Sequence, residues 1–150
     1  LDGGPGRAVA EGRDPFADFA DEFAQADVRI GNLEAPIATG GSPMANKIAT
    51  FRAAPQVIDR LAGRFDALSV ANNHSGDYGQ EAFLETLALL DMAGIDAVGG
   101  GHNLSEAHVP YRVERGGLSI AILAYNEFKP RAFEAGPDWP GVAWSEDSHV

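Results

Sequence analysis

One stretch constrains the fold more than any other. An apolar run over residues 65–71 ends abruptly in Asn72-Asn73-His74-Ser75-Gly76-Asp77-Tyr78-Gly79, and a helix-period segment follows. A short apolar run that stops in polar residues and then feeds a helix reads as a buried strand with its C-terminal loop. In open α/β sheets, ligands bind at the carboxyl ends of strands. The pattern therefore predicts a site centred on Asn73 and His74.

The flanking sequence supplies the frame. Residues 1–12 are rich in Gly and Pro and predict a loop. Asp14-Pro15 is a helix start, with Asp14 as N-cap and Pro15 at the first helical position. Phe16, Phe19, Ala20 and Phe23 then recur at helical spacing to about Gln25. Residues 27–31 predict a strand ending in Asn32-Leu33-Glu34, and Pro36 with the Gly40-Gly41-Ser42-Pro43 cluster predicts a long loop. Residues 50–52 predict a short strand, and Pro55 starts a helix that carries Val57, Ile58 and Leu61 and closes at Gly63. The clearest helix covers residues 81–93, with Ala82, Phe83, Leu87, Leu90 and Ala93 as its apolar stripe and Gly94 as its cap. Residues 95–98 predict a strand before Gly99-Gly100-Gly101, and residues 103–107 one helical turn. Residues 111–114 and 118–125 predict a hairpin about Gly116-Gly117, and the Pro- and Trp-containing remainder a long loop. Strands alternating with helices, then a hairpin, predict an α/β layered domain.

Composition narrows the function. The 150 residues are enough for one domain with a sizeable core. Lys and Arg number 11 against 22 for Asp and Glu, a net charge of -11, which disfavours nucleic-acid and anionic-membrane binding. Without Cys there are no disulfides, thiolate metal sites or Cys nucleophiles. No apolar run reaches the roughly 18 residues of a membrane helix. Residues 1–13 do not read as a signal peptide, and the first residue is not Met. The expectation is a segment of a longer protein.

Each polar group has two readings at this level. Asn73 offers an amide oxygen to a hard cation, and His74 ligates a metal or moves a proton near neutral pH. The pair equally serves as a strand-end cluster that hydrogen-bonds its own loop. Glu34 supplies the carboxylate that a divalent metal needs, or is a turn residue before Pro36. Asp77, three residues after His74, orients the imidazole, or favours the turn before the long helix. The Gly99-Gly100-Gly101 run lacks a following Gly-Lys-Ser/Thr, so it reads as a strand-to-helix turn rather than a phosphate loop. His102, His108 and His149 have no ligand neighbours at useful spacing and read as surface or structural. Ser69 and Ser75 lie outside any Gly-x-Ser-x-Gly elbow.

Four segments carry a resemblance: Asn32-Leu33-Glu34, Phe51-Arg52-Ala53-Ala54-Pro55, the stretch from Ala71 through Gly79, and Gly99-Gly100-Gly101-His102-Asn103 with Glu106-Ala107. Together, over residues 14–125, they resemble the CapA family of poly-γ-glutamate capsule synthesis, related to calcineurin-like metallophosphatases. The resemblance implies an α-β-β-α sandwich with a two-metal site at the strand ends, filled by Mn, Fe or Zn. It implies Asn73 and Glu34 as metal ligands, His74 as the acid or phosphate-contacting group with Asp77 beside it, and Asn32 and Asn72 lining the site. It further implies metal-dependent hydrolysis of a phosphoester or γ-glutamyl amide, with a noncatalytic polymer-binding or export component as the alternative. Capsule-synthesis proteins are the implied partners and the cell envelope the implied location. The family's Gly-Asp strand and its His-Trp-Gly and Gly-x-His-Pro-His segments do not occur here, and no His precedes Trp139-Pro140-Gly141. A single domain truncated at both ends is therefore expected.

Overall fold

A computed structural model describes residues 3–128 and 131–146. Its centre is a three-stranded parallel sheet in the order β1 (Ile30–Asn32), β2 (Ala67–Ser69), β3 (Asp96–Val98). Ile30 pairs with Ala67, and Ala67 in turn with Asp96, so all three strands end at one level. Each crossover carries helix. Between β1 and β2 lie a 3-10 turn at Pro55–Val57 and a short helix at Ile58–Leu61. Between β2 and β3 lies the longest helix, Gly79–Met92. The apolar residues fall as the periodicity predicts: Phe83, Leu87 and Leu90 of the long helix join Leu68, Val70, Val57, Leu61 and Ile95 in one buried core. Gly94 ends that helix with φ +69, a backbone angle at which a side chain is strained.

The helix begun at Asp14-Pro15 is split into a 3-10 turn, Ala17–Phe19, and an α-helical turn and a half, Ala20–Gln25. Asp14 Oδ1 accepts the Phe16 N–H at 3.0 Å. Phe16, Phe23 and Phe65 form three mutual edge-to-face contacts with centroids 5.3–5.7 Å apart, which fastens this segment beside β2. On the far side of the sheet, β4 (Gly100–Gly101) leads to the one-turn helix Leu104–Ala107, whose N-cap Asn103 accepts the Glu106 N–H at 2.9 Å. The hairpin is β5 (Tyr111–Arg115) and β6 (Leu118–Ile122), turning at Gly116 and Gly117 with φ +58 and +79.

Several expectations are corrected. The N-terminal loop is instead a helix at Gly3–Ala10, held by Val9, which is buried in the core. Residues 50–52 form no strand: only Ala53 makes a parallel bridge, to Ile37, because Pro55 ends the extended run two residues later. The strand expected at 27–31 lies at 30–32, where Leu33 N continues onto Ser69 O at 2.9 Å. The supposed final loop contributes β7 (Gly141–Val142), antiparallel to β4, and buries Trp144. Only Gly99 of the triple glycine needs a positive φ, +78. Gly100 and Gly101 are required by close approach, since a Cβ on Gly100 would lie 2.6 Å from Val70 Cγ2. His149 lies outside the described residues.

Candidate functional site

The site grows from the shared carboxyl edge of β1 and β2. Register places Asn32 opposite Ser69, so the chain leaving β1 at Asn32-Leu33-Glu34 runs beside the chain leaving β2. Asn72 joins the two. Its Nδ2 donates to Asn32 Oδ1 at 3.1 Å and to Leu33 O at 2.9 Å, and its Oδ1 accepts the His74 N–H at 3.0 Å. The buried Ser75 hydroxyl donates to Val70 O and lies 3.1 Å from the same Asn72 oxygen. Asn72 is thus fully engaged inside the protein. It shapes the turn that presents its neighbours.

His74 is the pivot of that turn. Its Nδ1 lies 2.8 Å from Asp77 Oδ2, and its side chain is 13% exposed. Asp77 is fully buried, and a buried carboxylate requires a full set of donors. Phe51 N donates to Oδ2 at 2.7 Å, and Lys47 Nζ donates to Oδ1. A carboxylate accepts only, so its partners assign the His74 proton to Nδ1 and leave the Nε2 lone pair available. The same Lys47 ammonium donates to Asn73 O at 2.6 Å. The Phe51 ring lies against the imidazole, centroids 4.5 Å apart.

Of the expected residues, the structure gathers Asn32, Glu34, Asn72, Asn73, His74 and Asp77 about the ends of β1 and β2. Asn32 Nδ2 reaches Glu34 Oε2 at 3.4 Å, and the Glu34 carboxylate is exposed. Asn32, Glu34 and Phe51 line a cleft of about 490 Å³ together with Phe16, Leu61 and Phe65. Lys47 and Phe51 went unseen as site residues in the sequence, because their loop has no periodicity. The only signal was a lysine placed between Asn46 and Ile48 in a stretch otherwise poor in charge. His102 stands apart: its Nδ1 contacts Glu106 Oε2 at 2.7 Å. The backbone N–H and ring of His102 hold the Glu106 carboxyl below the usual carboxylate range.

The donors present suit one side of a hard divalent cation: a carboxylate at Glu34 and amide oxygens at Asn32 and Asn73. Among the described residues, no three His, Asp or Glu side chains come together in a group able to hold a metal ion. The residues of this chain thus offer one carboxylate and amide oxygens, and no gathered acidic or imidazole ligand set among the described residues.

A parallel α/β sheet with an Asn-His turn and a buried carboxylate at its strand ends puts these residues where open α/β sheets bind their ligands. The chain matches the family described as bacterial capsule synthesis protein PGA_cap over residues 2–149, and it belongs to that family. It is 30% identical over 125 residues to the PGA biosynthesis protein CapA of Bacillus subtilis, covering 80% of this chain and 32% of that protein. It is 32% identical over 126 residues to a probable polyglutamine synthesis accessory protein of Mycobacterium tuberculosis, covering 81% and 33% respectively. An uncharacterized protein of Sinorhizobium fredii is 32% identical over 125 residues, covering 79% and 27%. The chain spans about a third of the length of the curated relatives it matches.

Proposed function

We propose that the intact protein is a metal-dependent hydrolase of poly-γ-glutamate capsule synthesis, acting on a phosphoester or a γ-glutamyl amide. The observation that carries this reading is the His74–Asp77 pair. Asp77 is buried, spends one oxygen on His74 Nδ1–H, and leaves Nε2 as the nitrogen that takes up a proton and, once protonated, hands it to a leaving oxygen or nitrogen. Asn73 and Glu34 would hold one side of the metal, completed by ligands from the rest of the protein. Bound divalent cations would supply Lewis-acid activation of water there. This chain's own residues do the rest: Asn72 fixes the turn, Asp77 fixes the imidazole, and Phe51 shields one face of it from water. The α-β-β-α sandwich is the architecture proposed for the whole, with the β1–β3 sheet as part of one layer. Membership in the capsule-synthesis family supports the setting, and the names of the Bacillus and Mycobacterium relatives support a polyglutamate-type substrate or partner.

The second reading is a noncatalytic component that handles the polymer during assembly or export. It draws on the absence, among the described residues, of three gathered acidic or imidazole ligands. One assay separates the two. Intact protein with Mn²⁺ is offered a phosphodiester, a phosphomonoester and poly-γ-glutamate. Turnover of any one that disappears in His74→Ala supports the hydrolase. Metal-dependent polymer binding without turnover, unchanged in His74→Ala, replaces it with the second reading.

A further inference from the structure

Asp77 receives more than the helix start it sits on. Residues 44–51 form a strap that is fastened to it at both ends and in the middle. Met44 N donates to Asp77 O at 2.7 Å, Phe51 N donates to Asp77 Oδ2 at 2.7 Å, and Lys47 Nζ donates to Oδ1. Between the anchors, Asn46 takes a left-handed backbone, φ +62, and the next residue, Lys47, turns its side chain inward. That side chain is 21% exposed, while the adjacent Ile48 lies wholly in solvent. A lysine drawn inward at a surface loop gives up hydration, and the site returns it in two hydrogen bonds, to Asp77 Oδ1 and to Asn73 O at 2.6 Å.

We infer that Lys47 is a positioning residue for His74, acting through Asp77. The carboxylate has two oxygens. One takes the ammonium, and the other takes the Phe51 N–H and the imidazole N–H. With Oδ1 held by Lys47, the carboxylate cannot rotate to offer a different oxygen to the ring, and the His74 proton stays on Nδ1. By donating to Asn73 O as well, the same ammonium fixes the peptide between Asn73 and His74, so the two residues keep their relative aim. Without Lys47, Asp77 retains a buried oxygen with no donor. The remedy open to it is to turn toward another donor, which frees the ring to exchange tautomers. Lys47 touches no reacting atom in this scheme.

The inference rests on the proposed hydrolase for its consequence, and its test does not. Long-range ¹H–¹⁵N correlation spectra of the labelled intact protein read the His74 tautomer directly, with no substrate present. Wild type is expected to show a single Nδ1–H form. Lys47→Met is expected to give a mixture of tautomers. If Lys47→Met fails to fold, Lys47→Leu, which likewise offers Oδ1 no donor, is read in the same way. A single Nδ1–H form in either folded variant overturns the inference and leaves Lys47 as a loop anchor. With a substrate found by the assay above, Lys47→Met is expected to lower kcat by roughly 10- to 100-fold, less than the roughly 10²- to 10⁴-fold of a whole general acid, and to leave KM near wild type. A KM effect alone overturns the positioning role. If no substrate turns over, the hydrolase fails and the tautomer measurement still decides the role of Lys47.

Discussion

Asn72 shows how much one amide settles at this site. Its donor side ties β1 to the turn and its acceptor side holds the His74 backbone, so both ends of the side chain matter in different ways. Asn72→Ala removes all of them, and a loss of about 2–3 kcal/mol in unfolding free energy is expected, at about 1 kcal/mol for each net hydrogen bond. Asn72→Asp is the sharper substitution. It keeps the acceptor for His74 N and the shape of the side chain, and replaces the donor with an oxygen facing Leu33 O and Asn32 Oδ1. Two acceptors then confront a third, and Asn72→Asp should be at least as destabilising as Asn72→Ala. Urea titration decides it: an Asp variant as stable as wild type would show that the donor bonds contribute nothing. Asp77 carries a different lesson. The sequence placed it three residues from His74 and left its role open between orienting the ring and starting a helix. The structure buries it fully, with Oδ2 2.8 Å from His74 Nδ1. Burial of a polar residue depends on what the loop does, and nothing local encodes that.

At the scale of elements, the long helix does two jobs, of which its periodicity reveals only one. Its apolar stripe packs on the sheet, as the spacing of Phe83, Leu87 and Leu90 predicts. Its polar positions catch the irregular chain after β1. Thr86 is buried on the core side, accepts the Ile37 N–H at 2.9 Å, and donates its own proton to Ala82 O at 2.8 Å. Glu85 takes the Thr39 N–H and hydroxyl at 3.0 Å. The stretch from Pro36 to Ala53 thereby acquires fixed ends although it has no repeat pattern of its own, and it delivers Phe51 and Lys47 to the site. Thr86→Val replaces a hydroxyl by a methyl of the same size and leaves the Ile37 N–H buried without an acceptor. A loss of about 1–3 kcal/mol is expected, together with faster amide exchange over residues 37–51. Thr86→Ser keeps the hydroxyl and should recover most of the slow exchange. If Val and Ser variants exchange alike, the loop is held by something other than this hydroxyl. Helix and strand existence were readable here because apolar spacing is local. The loop's path was not, because its partners lie 45–49 residues away in sequence.

For the molecule as a whole, the two ends of the parallel sheet are specialised. The carboxyl ends hold the open amides and imidazole of the site, and the amino ends are clamped by charge. Arg29 donates to Asp66 through its backbone N at 2.7 Å, Nε at 3.3 Å and Nη2 at 3.1 Å, and its Nη1 reaches Gly63 O at 2.8 Å. Asp66 heads into β2 and Arg29 into β1, so this one pair sets the register from which Asn32 and Ser69 come to lie opposite each other. The Arg29 side-chain hydrogen bonds hold the Asp66 carboxyl below its ordinary value of 3.8, against a smaller opposing push from partial burial. The sign follows from the direction. In the unfolded chain Asp66 takes up its proton at the ordinary value, and in the folded chain only at a lower pH. Its contribution to stability is therefore complete above about pH 4 and is lost as pH falls through the lowered folded value. Asp66→Asn removes the charge and with it this part of the pH dependence. Unfolding free energies measured between pH 7 and pH 3 should fall more steeply for wild type than for Asp66→Asn, with the variant the less stable of the two at pH 7. The site lies at the opposite strand ends, so the His74 tautomer in Asp66→Asn at neutral pH should match wild type. Equal acid slopes would mean that Asp66 is not held below its ordinary value. A shifted tautomer would mean that the register clamp reaches the site, and that the two ends of this sheet are not independent.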